Sequence, residues 1–449
     1  MSEAALLDAI QRNDVEAVRV AVQMKGANPN KLLPEYEEGR RANLYRQTPF
    51  LSAVAANRPE IVKLLVSLGA NVNQTDSLGQ TGVHLCAVSG NKRILDILMR
   101  AGADCRTIDV NASSPYHKAM EGGNMKVMSA LHAAHYASNA LDSQGYRPIH
   151  HLIVAGDLAG LAFLVKKGEN VNTKTKDGDT PLHLAVRKGL DRVVELLLES
   201  RAQADAVNAR KVCPLSVAVS ENRLICAELL IAYGASVHTR DADGNQPLHL
   251  AVELGRHELV QSLLENGADI NAVGNANNTV LHIVARKGNM ALASYLLRRG
   301  GNIQARNDSG ATVLHISIAW RSFPMMQLWK NAGIDCNIKD IKGHTAIHKI
   351  VQLRRANGGN VEDESTNIAL EDFMELFHDS VNLMCRDKEG NTLLHTAALS
   401  GNIYALVALL ECGLSLTAKN TQGESVVQVL RRILPDNDLL AQLELAYGE

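Results

Sequence analysis

The 449-residue sequence is poor in aromatic residues, which make up 4%, and it has no excess charge of either sign. Its 46 Lys and Arg against 48 Asp and Glu give a formal net charge of −2, so no overall field would draw the chain to nucleic acid or an anionic membrane. The seven cysteines form no Cys-x-x-Cys pair, which excludes a zinc ribbon and favours a reducing compartment. Residues 1–8 lack the basic and apolar segments of a signal peptide, and no 18-residue apolar run occurs. We therefore expect a cytoplasmic protein that recognises its partners through local patches.

What the sequence does contain is a period of 33 residues. A four-residue block such as Thr180-Pro181-Leu182-His183 recurs along the chain, and we call its first position the anchor. Nine successive intervals between anchors are each 33 residues long. The next interval is 47 residues and the last is 33, while residues 4–30 fit the same template ahead of the first anchor. Thirteen repeats result, and the twelve anchors are Thr48, Thr81, Ser114, Arg147, Thr180, Cys213, Gln246, Thr279, Thr312, Thr345, Thr392 and Ser425.

Each repeat has the same local signals. Most repeats carry a Gly two residues before the anchor and an Asp or Asn five residues before it, a combination typical of a turn. Thr at the anchor caps a helix, and Pro after it suits the first helical position. A second, Leu-rich helix follows and ends at a Gly such as Gly69.

A helix, a turn, a second helix and a β-turn at period 33, with Thr-Pro-Leu-His at the start, resemble the ankyrin repeat family. The resemblance covers essentially the whole chain. It implies an all-α solenoid of helix-turn-helix repeats with β-hairpin fingers, two stacked helix layers and a concave groove. Since neither helix of one repeat buries its apolar face alone, stability must come from stacking of neighbours. We therefore expect a single continuous domain over residues 1–449.

The departures from the period define four smaller segments. Leu7 and Gln428 stand where His is usual, and the repeats that hold them, residues 1–30 and 423–449, are predicted to be capping repeats. Residues 31–46 are predicted to be an insertion that lengthens a finger. Residues 356–367, rich in Gly, Asn and acid, are predicted to be a mobile loop inserted into repeat eleven. Either insertion could serve binding or be a tolerated surface loop.

Sixteen histidines suggest metal or catalytic chemistry, but nine of them occupy the same repeat position. The resemblance implies that these nine bond the backbone between neighbouring repeats. No Gly-rich phosphate loop and no Gly-x-Ser-x-Gly motif occur. We therefore expect no enzyme activity, no cofactor and no metal. The nine are His84, His117, His150, His183, His249, His282, His315, His348 and His395.

Ankyrin-type arrays bind partners through the finger tips and the exposed positions of the first helix. Here these positions lie four, three and one residues before each anchor and seven and eight after it, and we call them the finger-and-helix face. Most of them are polar or small. Trp320 stands out, with ligand contact and local packing against Phe323 as its two interpretations, whereas Trp329 is expected in the core. The apolar members are Leu44, Tyr45, Leu78, Tyr146, Leu254, Trp320, Ile341 and Leu353.

A second candidate patch is electrostatic. Its basic residues are interleaved with acid, so it is either an ordinary solvated face or a site for an acidic or mixed-charge peptide, and nucleic acid is not expected. The basic residues are Lys174, Lys176, Arg187, Lys188, Arg210, Lys211, Arg286 and Lys287. The partner-binding residues predicted from both patches are Tyr45, Leu78, Tyr146, Arg187, Lys188, Arg210, Leu254, Arg286, Lys287, Trp320, Ile341 and Leu353.

The function predicted from these residues is a non-catalytic protein–protein interaction scaffold or adaptor. We expect a monomer that binds extended peptide segments or a folded domain and does not insert into a membrane. Two narrower alternatives stay open. The last repeats loosely resemble those of rabankyrin-type proteins, which suggests a trafficking adaptor at endosomes, and secreted effectors of intracellular microbes are built from such arrays as well.

Overall fold

The structure, a computed structural model, describes residues 2–32, 47–134, 141–143, 145–353 and 364–433, together with 443, 445 and 446. Side chains are described for all of these except residues 2 and 364–369. Leu44, Tyr45 and residues 33–46 of the predicted finger insertion lie outside the described residues, as does nearly all of the sequence after 433. The capping role of residues 1–30 and 423–449 remains a prediction.

The chain divides into two compact units, Met1–Ala235 and Ser236–Glu449, and each is described by itself. Within the described residues every repeat contributes a short first helix, which follows the anchor in repeats two to thirteen, and all but the last repeat contribute a second helix. The first helices of unit one are α1 (Ser2–Arg12), α3 (Pro49–Ala55), α5 (Gly82–Ser89), α7 (Pro115–Glu121), α9 (Pro148–Ala155), α11 (Pro181–Lys188) and α13 (Pro214–Ser220). Its second helices are α2 (Val15–Gln23), α4 (Pro59–Ser67), α6 (Lys92–Arg100), α8 (Met125–Ala133), α10 (Leu158–Lys166), α12 (Asp191–Glu199) and α14 (Leu224–Ala232).

Unit two has the same organisation. Its first helices are α15 (Pro247–Glu253), α17 (Val280–Lys287), α19 (Val313–Ala319), α21 (Ala346–Gln352), α23 (Leu393–Ser400) and α25 (Val426–Ile433). Its second helices are α16 (His257–Glu265), α18 (Met290–Arg298), α20 (Phe323–Asn331), α22 (Glu364–Phe377) and α24 (Ile403–Glu411). In both units consecutive first helices pack side by side as one layer, and second helices pack on them as another. The predicted all-α repeat fold is confirmed.

The anchors begin the first helices as predicted. Thr180 has an extended backbone (φ −85°, ψ 165°) and Pro181 takes the first helical position. The Thr180 N–H donates to His183 Nδ1 over 3.1 Å, and the Thr180 hydroxyl lies 2.8 Å from the same nitrogen. The repeated His thus satisfies one of the free N–H groups at the helix start, a role that Glu often takes in a capping box.

The core lies between the two helix layers and is built mainly from Leu, Val and Ala. In repeat six, Leu182 and Val186 of α11 and Leu197 of α12 are fully buried. Trp329 is also fully buried, as predicted, and its indole N–H donates to Ser317 Oγ over 2.7 Å. Layers this thin leave few sites for a large ring, which accounts for the low aromatic content.

The fingers differ from the prediction of β-hairpins. Among the described residues the fingers are turns without paired strands, apart from one isolated antiparallel bridge between Lys419 and Ser425. The reason is visible at Asp109, whose Oδ1 accepts the N–H groups of Asn111 and Ser113, both at 2.9 Å. The carboxylate thereby takes N–H groups that a strand ladder would need.

The insertion in repeat eleven also departs from prediction. Residues 354–363 lie outside the described residues, but residues 364–367, expected within a mobile loop, are the first turn of α22. This helix has 14 residues, whereas the other second helices of unit two have 9. α22 packs against α20, α21 and α24, so it is the second helix of repeat eleven.

Candidate functional site

The repeated histidines join successive repeats. His183 Nε2 donates to the carbonyl of Val212 over 3.0 Å, and His282 Nε2 donates to that of Ala311 over 3.0 Å. His84, His315 and His395 make the same bond to a carbonyl 29 residues ahead. The structural interpretation of these side chains is therefore confirmed. Burial lowers the pKa of His183 and His282, so both are neutral at pH 7 and can accept at Nδ1 while donating at Nε2.

Three histidines depart from this rule. His150 and His249 donate to carbonyls only 23 residues ahead, at Thr173 and Ala272. His348, in the repeat where the 47-residue interval begins, has a fully buried ring whose Nε2 has no hydrogen-bond partner among the described residues. Burial lowers the pKa of both His150 and His348 to about 4.

A second set of bonds joins the turns that follow the second helices. Asn271 Oδ1 accepts the N–H of Asn302 over 2.7 Å, and its Nδ2 donates to the Gly300 carbonyl over 3.3 Å. Asn172 and Asn337 make the same pair of bonds to the next repeat. All three stand eight residues before an anchor, so the period alone could have revealed this ladder.

A third set of bonds uses basic side chains on the fingers. Arg240 donates to the carbonyl of Val273 over 2.6 Å, and Arg306 donates to that of Lys339 over 2.8 Å. Lys174 takes part in this ladder through the Val207 carbonyl, and Lys176 donates to the carbonyl of Ser143. Two residues of the predicted basic patch are therefore engaged in joining repeats.

Other members of the basic patch are paired on the finger-and-helix face. Arg187 lies 2.8 Å from Asp179. Although burial alone raises the pKa of Asp179, Arg187 and the amide of Asn208 hold it below its usual value. Arg286 and Lys287 both contact Glu253, at 2.5 and 2.8 Å, and together they hold the pKa of Glu253 down against the opposing effect of burial. Lys188, Arg210 and Lys211 are exposed. The patch is thus a mixed-charge surface in which three of the eight basic side chains are paired with its acidic residues and two bond backbone carbonyls.

The apolar members of the face are exposed to different degrees. Trp320 is 61% exposed, Ile341 is 53% exposed and Leu254 is 41% exposed. Leu78, Tyr146 and Leu353 are half-buried. No ring contact joins Trp320 to Phe323 within the part of the chain that the structure describes.

Sequence reasoning overlooked four exposed apolar residues of the same face. Val88, Val154 and Leu399 stand seven residues after an anchor, and Val110 stands four before one. Val110 is 64% exposed and Val88 is 53% exposed. These four positions belong to the same set, counted from the anchors, that identified Trp320. The sequence therefore contained the information needed to predict them.

Clefts open on this face where successive repeats meet. Repeats four and five enclose about 420 Å³ beside Lys118, Asp142 and His151, and repeats eight and nine about 320 Å³ beside Glu253 and Arg286. The largest of these three clefts, of about 720 Å³, lies at repeats eleven and twelve. All three have polar side chains and short apolar ones in their walls.

Three further features of the described residues concern metal ligands, membrane-spanning helices and cysteines. Within the described ranges, no three His, Cys, Asp or Glu side chains gather into a group that could hold a metal ion. No helix in the described part of the chain combines the length and apolar character needed to cross a bilayer. All seven cysteines are described and none forms a disulfide; six of them, including Cys105 and Cys336, are buried.

Comparison with known proteins gives matches to ankyrin repeats. A family model described as ankyrin repeats (3 copies) matches overlapping segments from residue 83 to residue 340, and a second, described as ankyrin repeats (many copies), matches residues 50–99. Neither model describes a catalytic domain.

Among curated proteins, NF-kappa-B inhibitor zeta from Bos taurus and from Mus musculus is 50% identical to this chain over 48 residues, and that from Homo sapiens is 48% identical. The match covers 11% of this chain and 7% of each relative, so the chain spans only a small part of the curated relatives it matches.

Among solved structures, the ankyrin repeat domain of Bcl-3, described as a unique member of the IkappaB protein family, matches 51% of this chain and 97% of that one. The identity is 27% and the TM-score 0.44. Since the ankyrin-repeat family model matches more than half of the chain, and the described repeats show the stacked helix pairs that the 33-residue period predicts, this chain belongs to the ankyrin repeat family.

Proposed function

We propose that this protein is a non-catalytic interaction scaffold of the cytoplasm that holds polypeptide segments of its partners on the finger-and-helix face. The observation that carries the proposal is the exposure of Trp320. The chain has two Trp; Trp329 is fully buried, and Trp320 stands 61% exposed on the face that the repeat register singles out. Exposed aromatic side chains are frequent anchors of protein interfaces.

The three hydrogen-bond ladders support a scaffold rather than a surface that reshapes on binding. Histidine, asparagine and basic side chains each connect a repeat to the backbone of the next, as at His282, Asn271 and Arg306. A face held in this way loses little conformational freedom when a partner binds, which favours affinity. The absence of disulfides among the seven cysteines agrees with action in a reducing compartment.

The mixed charge of the face supports a polypeptide partner. Arg187 is paired with Asp179, and Arg286 and Lys287 are paired with Glu253, so positive charge does not form an uninterrupted stripe. A nucleic acid would require unpaired basic groups in series to neutralise its phosphates. Protein segments carry both signs of charge and apolar side chains, and they match alternating groups of this kind.

Truncation of the exposed indole tests the proposal. Trp320→Ala should weaken capture of the protein's cellular partner by about 30-fold, the effect of losing an interface residue that contributes about 2 kcal/mol. Because the indole is mostly exposed, the thermal midpoint should not change. Ile225→Ala, which truncates an apolar side chain 57% exposed on a second helix, is the control and should leave capture unchanged. Unchanged capture by Trp320→Ala at the same thermal midpoint would refute this anchor.

A further inference from the structure

The second helices of repeats two to seven carry a row of surface side chains at their fifth and ninth positions. These helices, α4, α6, α8, α10, α12 and α14, have nine residues each, so the two positions are equivalent from repeat to repeat. Because residues four apart lie on one face of a helix, the two positions share a face, which we call the outer row. Its members are Lys63, Ser67, Asp96, Arg100, Ser129, Ala133, Ala162, Lys166, Glu195, Glu199, Glu228 and Ala232.

The unpaired charges of the outer row change sign between repeats five and six. In repeats two to five they are positive, and in repeats six and seven they are negative. All of them are exposed, and none forms a hydrogen bond or ion pair with any residue that the structure describes. They belong to Lys63, Arg100 and Lys166 and to Glu195, Glu199 and Glu228.

The only other charged member of the outer row is neutralised within its own helix. Asp96 lies 2.7 Å from Lys92 of the same helix. The row therefore has a basic end and an acidic end, and opposite charges are separated along it rather than interleaved.

The acidic end of the outer row lacks cations of its own. Glu195 and Glu199 stand four residues apart on α12, a spacing at which like charges destabilise a helix. Arg192, the one basic residue of α12, lies at the second position, and no ion pair joins it to either carboxylate among the described residues. Cations supplied from outside the chain would relieve this repulsion.

The order of the charges is complementary to the same order reversed. When a second copy lies antiparallel, with a two-fold axis at the boundary of repeats four and five, repeat two faces repeat seven and repeat three faces repeat six. Lys63 then faces Glu228 of the second copy, and Arg100 faces Glu195 and Glu199 of the second copy. Each of these contacts occurs twice, once on either side of the axis.

The residues beside this axis are small. Ser129 and Ala133 of α8 and Ala162 of α10 are exposed, and none of them has a long side chain that would hold two copies apart. Lys166 of repeat five faces repeat four of the second copy, where the outer row holds only Ser129 and Ala133. No like charges of the outer row therefore meet at the axis.

We infer that two copies of the chain associate through their outer rows, antiparallel about a two-fold axis between repeats four and five, with the basic end of each row against the acidic end of the other. The occupant is a second copy because both members of every ion pair stand on this chain, in the order that the reversal requires. The contact uses second helices rather than the finger-and-helix face, so it goes beyond the proposed function. It replaces the monomer expected from the sequence, a prediction that took no account of these charges.

The association should be weak and sensitive to salt, because each exposed ion pair contributes little and is screened by ions. Analytical ultracentrifugation of the full-length protein measures it. At about 20 mM salt, where the Debye length is roughly 20 Å, the fraction of dimer should rise with protein concentration. At about 500 mM salt the protein should sediment as a monomer.

Two charge-reversed variants test the pairing of the rows. Lys63→Glu with Arg100→Glu turns the basic end acidic, and Glu199→Lys with Glu228→Lys turns the acidic end basic. Either variant alone should stay monomeric at low salt, because each reversed residue faces a like charge on the second copy. An equimolar mixture of the two should form a dimer that holds one of each, because opposite charges again face one another.

The control removes the same positive charges from another surface. Lys342→Glu with Lys388→Glu changes two exposed lysines of finger tips and should dimerise as the unaltered chain does. A chain that stays monomeric at low salt at every concentration would overturn the inference. So would reversed variants that still dimerise alone, or that fail to dimerise when mixed.

The outcomes separate this inference from the proposed function. Trp320→Ala should leave the dimer intact, since the indole lies on a first helix and takes no part in the outer row. Loss of partner capture in that variant, with the dimer retained, would support the scaffold function alone. A dimer is distinguished from a complex with a partner protein by its mass, which is twice that of one chain.

Discussion

Replacing His282 with alanine should destabilise the protein more than the same replacement at His348. Both side chains stand at the same position of the first helix in unit two, and both are at least 98% buried. Both accept an N–H from their anchor at Nδ1, over 3.2 Å. They differ at Nε2, which donates to the Ala311 carbonyl in His282 and has no partner in the described part of the chain in His348. His348 Nδ1 also lies 3.6 Å from Cys385 Sγ of the next repeat, a weak contact, so the pair chiefly reports the bond that Nε2 makes to the next repeat.

The size of the difference follows from what each variant leaves behind. In both, the anchor loses the acceptor for its N–H and a buried ring is replaced by a methyl group. Only His282→Ala also deprives a carbonyl of the next repeat of its donor, a loss of about 1–3 kcal/mol. We expect about 3–5 kcal/mol of lost stability for His282→Ala and about 1–3 kcal/mol less for His348→Ala. Helix propensity cancels, because both changes are His to Ala at the same helical position.

Urea unfolding followed by circular dichroism gives the two free energies, and native-state hydrogen exchange locates the change. Exchange should accelerate near repeats nine and ten in His282→Ala, since repeat arrays open locally. Equal losses for the two variants, within about 0.5 kcal/mol, would refute the assignment of stability to the bond between repeats. A greater loss for His348→Ala would refute it more strongly.

Three further outcomes are expected. Ala112 and Lys211 lie at the finger position where most repeats have Gly, and both have a left-handed backbone, with φ of 56° and 59°. Replacing either residue with Gly should therefore raise the free energy of unfolding in urea by about 0.5–1 kcal/mol. His150 has a pKa of about 4 when folded and about 6.5 when unfolded, so the unfolded chain binds the proton first as pH falls. The effect of this pKa difference on the free energy of unfolding, on the order of 3 kcal/mol, should be fully present above pH ~6.5 and be lost as the pH falls toward ~4. His150→Gln should flatten this part of a profile of unfolding free energy against pH. Asn271→Ala removes two bonds to the next turn and should lower stability by about 1–2 kcal/mol, with faster hydrogen exchange at the Asn302 amide as the local readout.

The fold was predictable because its determinants are local and repeat in register. The anchor, its Pro and the Gly of the finger encode a cap, a helix start and a turn within a few residues, as at Thr180, Pro181 and Gly178. Repetition at a fixed period then specifies which faces meet. The β-hairpin fingers were the part that failed, because the side chain of Asp109 and its equivalents bonds the N–H groups that strands would have used.

The binding face was only partly predictable. Its positions follow from the register, but which charges remain unpaired depends on neighbours in the adjacent repeat. Glu253 and Arg286 are 33 residues apart and pair across repeats, a relation that aligned repeats could have shown. The 47-residue interval, by contrast, leaves His348 Nε2 without a carbonyl partner among the described residues and lies beside the largest of the three clefts, and no local pattern states this consequence.

Site-specific photo-crosslinking of the full-length chain, in the cells that naturally make it, would show whether partners bind on the finger-and-helix face. A benzoyl-phenylalanine replaces Trp320 in one variant and Ile225, exposed on a second helix, in the other. We expect a discrete protein partner to be crosslinked through position 320 and not through position 225. Crosslinking through position 225 alone, or equally through both positions, would contradict it.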